Sequence, residues 1–169
     1  MPEKRTLERA RKDRREGKSA STQAGEFVRE EIHHIREGKH GARSAKQAIA
    51  IGLSKARRAG VELELPEKGK ATKIVRRRAE RDLAAGHAKK KTPPSRHRSR
   101  ATERALERES TAAGSRTALA LQTRSAARER SASDRSAAAR KAARTKGPAA
   151  RAAAARKAAR TRAAKRGSG

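Results

Sequence analysis

From residue 135 to residue 169 the sequence holds twelve Lys or Arg, no acidic residue and no apolar side chain larger than alanine. A segment of that kind has nothing to bury, so it cannot build a core, and folded structure is expected upstream of it. The same imbalance runs through the whole chain: 169 residues carry 47 Lys or Arg against 18 Asp or Glu, a net charge of +29. Hydrophobic residues make up 33%, but 38 of them are alanine, which leaves 18 bulky apolar side chains and a single aromatic, Phe27. Only Leu106, Leu119 and Leu121 of these follow Leu83. One large hydrophobic core is therefore excluded. There is no cysteine, which removes disulfides, thiolate nucleophiles and cysteine-type metal centres. No apolar run approaches the roughly 18 residues of a membrane span. The start, Met1-Pro2-Glu3-Lys4-Arg5, is not of the signal-peptide type. The composition is that of a soluble polycation expected in a cytoplasm.

Punctuation and charge divide the chain into four parts. Residues 1–18 read as a basic N-terminal arm, helical by propensity up to Gly17 but with Leu7 as the only bulky apolar residue after Met1. Residues 19–86 read as a small, marginal helical domain. In it Phe27, Val28, Ile32 and Ile35 share one helical face that ends near Gly38. Ser44-Ala45-Lys46-Gln47 is a capping box: the serine hydroxyl accepts from an orphan amide, and the glutamine accepts another in return. The helix it opens aligns Ile49, Leu53 and Ala56 and closes at Gly60, while Ala48, Gly52 and Ala56 form a small-residue seam. Val61-Glu62-Leu63-Glu64-Leu65-Pro66 alternates like a short strand, which the proline restricts to an edge or an extended strap. A third helix starts near Thr72, aligns Val75, Ala79 and Leu83, and stops at Gly86. Residues 87–134 read as a basic Ser/Pro/Arg linker, and residues 135–169 as an Ala/Arg/Lys tail, disordered or conditionally helical. The expected fold class is mostly α, with about three short helices.

The stretch SAKQAIAIGLSKARRAG over residues 44–60, followed by a Leu-Pro, resembles a segment found in a family of small, uncharacterised basic bacterial proteins. Members of that family are often described only as hypothetical or DNA-binding proteins. The resemblance covers roughly residues 19–70 and implies a bacterial origin; a histone-like role would place the chain in the cytoplasm, at the nucleoid. The tail is similar, by composition, to the Ala-Lys-Arg tails of linker histones and bacterial histone-like proteins.

That tail repeats. Residues 137–146 (AAARKAARTK) return sixteen positions later as residues 153–162 (AAARKAARTR), and Gly147-Pro148 separates the copies. Proline suits the first turn of a new helix. Alanine, arginine and lysine are strong helix formers. Arg140 with Arg144, and Arg156 with Arg160, nevertheless set like charges one turn apart, which destabilises the free helix until polyanionic phosphates neutralise it. Cations surround the axis and no apolar face exists, so an interfacial membrane helix is not expected. Duplex DNA is the expected partner, with RNA as the alternative. The chain has no Asn and only three Gln, and one aromatic cannot stack single strands, so contacts should go to phosphates rather than to base edges. The candidate phosphate-binding residues are Arg140, Lys141, Arg144, Lys146, Arg151, Arg156, Lys157, Arg160, Arg162, Lys165 and Arg166. Arg57, Arg58, Arg76, Arg77 and Arg78 extend the footprint onto the helical domain.

Other chemistry is sparsely signalled. Glu30, His33, His34 and Glu37 lie on one helix with His40 just beyond, and Glu30-x-x-His33 resembles half of a di-metal carboxylate motif. Its second half is missing, and a solvated helix face accounts for these residues, so no metal or other cofactor is expected. No nucleophile elbow, P-loop or dinucleotide fingerprint is present, and no catalytic residue is expected. The Arg-Ser pairs at Ser99, Ser125, Ser131 and Ser136 could be phosphorylated, though the abundance of both residues explains the pairing. The alternative to nucleic-acid binding by the tail is an adaptor role, with a homo-oligomer or protein partner held through the 44–60 helix. Lys89-Lys90-Lys91 could otherwise act in nuclear import.

Overall fold

The computed structural model describes residues 2–67, 69, 71–88 and 95–167, with the side chain of Lys165 left out. The Lys89-Lys90-Lys91 run and Pro93-Pro94 lie outside the described residues. The chain separates into two compact units, Met1–Gln122 and Thr123–Gly169.

Among the described residues there are seven α-helices rather than about three, and no strand. They are α1 (Lys4–Arg15), α2 (Ala20–Arg36), α3 (Ala45–Arg58), α4 (Lys73–His87), α5 (Arg96–Glu107), α6 (Arg116–Arg128) and α7 (Ala132–Gly167), with a 3-10 turn at Thr111–Gly114. The excess over expectation comes from segments rich in Ala, Arg and Glu. These favour helix without supplying bulky apolar residues, so apolar counting passes over them.

The first unit is organised around α2, which packs against α1, α3 and the 3-10 turn, while α3 also packs against α4. Its ends follow local chemistry. Ser19 caps α2 by accepting from the Thr22 amide at 3.4 Å. Ser44 caps α3 by accepting from the Gln47 amide at 3.2 Å, and Gln47 Oε1 accepts from the Arg43 amide at 3.0 Å, one residue before the amide a capping box would use. Gly38 and Gly60, with φ of 74° and 89°, turn the chain after α2 and α3.

Two small cores result. One joins Ala10, Ala24, Phe27, Ala56 and Val61, with Leu7, Leu53 and Leu63 packed around them. The other joins Ile35, Ala42, Ala48 and Ala113. Alanine dominates both, so the helices must approach closely to exclude water. Gly52 lets α3 approach α2, since a Cβ there would lie 2.7 Å from the Val28 Cα. The Ala48/Gly52/Ala56 seam is thus buried inside the chain against α2, and does not offer the surface for self-association that the sequence pattern suggested.

Packing extends beyond residues 19–86 on both sides. Helix α1 lies on α2, burying Thr6, Ala10 and Asp13, and the Glu3 amide donates to Glu30 Oε2 at 3.1 Å. Downstream, the Gly41 amide donates to the Leu106 carbonyl at 2.9 Å and the Ala42 amide to the Ser110 carbonyl at 3.1 Å. Ala113 and Gly114 are buried, and Arg36 Nε donates to the Gly114 carbonyl at 2.7 Å. Residues 106–114 therefore close the second core with small side chains and backbone.

Residues 61–66 form an irregular strap, not a strand, since no neighbouring strand pairs with them. The alternation survives: Val61 is buried, Leu63 and Leu65 are half-buried, and Glu62 and Glu64 are exposed. Helix α4 continues one residue past Gly86, whose lack of a side chain admits the Arg57 carbonyl.

Candidate nucleic-acid interface

In the second unit the tail is helical throughout its described length, where the sequence left coil and helix open. Helix α7 is broken at Gly147, with φ 68° and ψ 167°, and Pro148 starts the second segment. The break falls at the Gly-Pro that separates the repeats, where proline's missing amide forfeits nothing. Both copies carry the same local bond: Thr145 Oγ1 donates to the Lys141 carbonyl at 2.9 Å, and Thr161 Oγ1 to the Lys157 carbonyl at 3.0 Å. Arg151 Nε donates to the Gly147 carbonyl at 3.2 Å, bracing the start of the second segment.

Arg140, Lys141, Arg144, Lys146, Arg151, Arg156, Lys157, Arg160, Arg162 and Arg166 are all exposed. The sequence beyond Asp134 contains no acidic side chain, so this row of cations has no carboxylate partner of its own along the helix. At one helical turn apart, Arg140 and Arg144 repel, as do Arg156 and Arg160. Such a surface attracts polyanions at long range, and salt weakens that attraction.

The five candidate arginines in the first unit divide differently. Arg58 Nε is 2.7 Å from Asp82 Oδ1, and the other oxygen of that carboxylate accepts from Ser54 Oγ at 2.6 Å. Arg76 Nε meets Glu80 Oε1 at 3.2 Å while Nη1 donates to the Pro66 carbonyl at 3.0 Å, tying α4 to the strap. Arg57 is half-buried, and its Nε is buried with no hydrogen-bond partner. Burial pushes its pKa down, and the Asp82 charge partly offsets this. Arg58 and Arg76 therefore also make contacts within the unit, and Arg58 remains exposed. Arg77 and Arg78 are exposed.

Arg77 shares a shallow depression with Lys73, Ile74 and Arg81, and Ile74 is 65% exposed. The sequence reading did not single out Lys73 or Arg81. The signal was present in the i, i+4, i+8 spacing of Lys73, Arg77 and Arg81, which puts three cations on one face of α4.

The histidine-rich end of α2 is only partly the solvated face expected. His33 is exposed and pairs with Glu37, with Nδ1 3.1 Å from Oε2. Glu30 and Glu31 are buried instead, and Lys55 Nζ lies 2.6 Å from Glu31 Oε2 and 3.7 Å from Glu30 Oε1. His34 Nε2 is 2.8 Å from Glu3 Oε1, a contact that draws the Glu3 carboxyl below its ordinary pKa. His40 folds back over α2, with Nε2 3.4 Å from Glu31 Oε1. The structure thus gathers Glu31, His34 and His40, where the sequence pattern pointed to Glu30 and His33.

Among the described residues, no helix is long and apolar enough to cross a membrane. Compared with family models, curated proteins and solved structures, the chain gives no match.

Proposed function

We propose that the chain is a non-enzymatic, histone-like protein that binds duplex DNA with weak sequence specificity in a bacterial nucleoid, chiefly through its tail. The observation that carries this reading is the exposure of the described Arg and Lys side chains of α7 beyond Asp134, on a segment with no acidic residue and no apolar face. Phosphates relieve the repulsion between its like charges, so binding and helix stability reinforce each other. Each neutralised phosphate releases condensed counterion, which supplies affinity without reading bases. Arginine, at 31 residues against 16 lysines, suits bidentate phosphate contacts and narrow minor grooves. The resemblance of residues 44–60 to a segment of basic bacterial proteins supports the same assignment.

The test is a salt titration of full-length chain and a form ending at residue 134, on duplex DNA and on structured RNA of equal length. With six or more phosphate contacts, full-length affinity for DNA falls roughly a thousandfold or more between about 50 and 200 mM salt. Removing the tail weakens binding and flattens the slope. Unchanged binding by the shortened chain would overturn the assignment. A clear preference for the RNA would move it to ribosomal or other RNA targets.

A further inference from the structure

Glu31 and His34 are three residues apart on α2, hence neighbours on its surface, and the turn after Arg36 brings His40 over them. One donor atom from each of the three residues lies within 4.8 Å of the others. Glu31 is fully buried, and its two oxygens are treated differently. Oε2 accepts from Lys55 Nζ at 2.6 Å, whereas Oε1 is buried without a hydrogen-bond partner and faces His40 Nε2 at 3.4 Å. The other ring nitrogen of His40, Nδ1, is 3.1 Å from the Gly41 carbonyl. A carbonyl can only accept, so Nδ1 carries the hydrogen and Nε2 of the neutral ring presents a lone pair. In the neutral ring two acceptors oppose each other across this gap, which either a proton on Nε2 or a bound cation would bridge.

We propose that Glu31, His34 and His40 form a binding site for a divalent transition-metal ion, with zinc the best match to two imidazoles and one carboxylate. Zinc bonds of about 2.0–2.1 Å arranged tetrahedrally put neighbouring ligand atoms about 3.4 Å apart. The His40 Nε2 to Glu31 Oε1 separation, 3.4 Å, already has that value. One donor nitrogen of His34 lies within 4.8 Å of a ligand atom of each of the other two residues.

The surroundings are those of an oriented ligand set. His40 donates its remaining N–H to a backbone carbonyl, Lys55 holds the non-ligating oxygen of Glu31, and Glu3 steadies the His34 ring. The charge balance points the same way. Glu30 and Glu31 are both buried, and the Lys55 ammonium is their shared cationic neighbour. Two carboxylates and one ammonium leave a net negative charge, which favours a cation at this site. The His34 and His40 side chains are 14% and 17% exposed, which leaves one side for a fourth ligand, water, and for the ion to enter.

The experiment is a cobalt(II) titration of the full-length chain after treatment with a chelator, followed by competition with zinc. The expected result is one equivalent of cobalt with the d–d absorption of a tetrahedral site, displaced stoichiometrically by zinc. His40→Asn weakens cobalt binding by about ten- to a hundredfold, the effect typical of losing an ordering group or ligand, while His33→Ala leaves it unchanged. Because Glu31 is buried, His40→Asn at a partly exposed position is the decisive variant, with helicity matched to wild type by circular dichroism. The proposal is overturned if the folded wild-type chain gives no tetrahedral spectrum. Equal binding by His40→Asn and wild type, or equal loss in His33→Ala, would mean an adventitious ion only. None of these readouts involves nucleic acid, so failure here is separable from failure of the DNA assignment.

Discussion

Gly52 and Val28 touch backbone to backbone: a Cβ placed on Gly52 would sit 2.7 Å from the Val28 Cα and 2.9 Å from its Cγ2. Gly52→Ala gains up to about 1 kcal/mol of helix propensity but forces α2 and α3 apart, an overpacking cost of about 1–3 kcal/mol. The expected net effect is a loss of about 0–2 kcal/mol, read as a lower urea midpoint with an unchanged slope. Salt-dependent DNA binding by the tail should persist. A stabilised variant would mean that the two helices do not meet at this distance.

Arg36 holds the far edge of the first unit. Its Nε donates to the Gly114 carbonyl at 2.7 Å, beside buried Ile35. Arg36→Leu leaves that carbonyl without its charged donor and is expected to cost about 1–2 kcal/mol. Amide hydrogen exchange should locate the loosening at residues 106–114 and the facing turn at 41–42, with α1 unaffected.

Lys18 ties the turn after α1 to two carboxylates, with Nζ 2.7 Å from Asp13 Oδ1 and 2.8 Å from Glu16 Oε2. The hydrogen bonds to Asp13 and then Glu16 raise the lysine pKa above its ordinary 10.5, and the bond from Lys18 lowers that of Glu16 below its ordinary 4.5. A raised cation stabilises fully below its ordinary value and loses that contribution as pH rises through its folded value. A lowered carboxylate stabilises above its ordinary value and loses it as pH falls through its folded value. Lys18→Met is therefore expected to lower the urea midpoint between the two ordinary values. The difference from wild type should narrow as acid protonates Glu16, and again in strong alkali. A difference independent of pH would contradict the ion pairs.

In the tail, Arg140→Gln with Arg144→Gln removes two cations and one repulsive pair. The slope of log affinity against log salt for duplex DNA should fall by up to about 1.8, at about 0.9 per lost phosphate contact. Helicity of the free chain should hold or rise, because the like-charge repulsion is gone. A slope unchanged by the double substitution would take these residues out of the interface.

How much of this was readable beforehand depended on the range of the interactions involved. Ser44, Gln47, Gly38, Gly60 and Gly147-Pro148 act over a few residues of backbone, and each marks the boundary that its chemistry implies. The docking of α1 was not readable. Leu7 is its only bulky apolar residue, and the rest of the contact uses Ala10 and the bond from the Glu3 amide to Glu30. The burial of Ala113 and Gly114 escaped for a related reason, since small residues pack by proximity and carry no apolar signature. Of the arginine clusters, sequence gave the positions but not the partners. Asp82 and the Pro66 carbonyl hold Arg58 and Arg76 across turns that periodicity does not resolve, whereas Glu80 is the i,i+4 neighbour of Arg76 on α4. Glu31, His34 and His40 came together because the chain reverses after Arg36, a tertiary event that a Glu-x-x-His pattern does not encode.

The break at Gly147 makes the tail two rods on one joint. If the tail binds DNA as proposed, the first rod to land would hold its twin at high local concentration over the next stretch, so overall avidity would exceed what either rod reaches alone. Detachment would then proceed one rod at a time, letting the protein shift along its track without ever letting go.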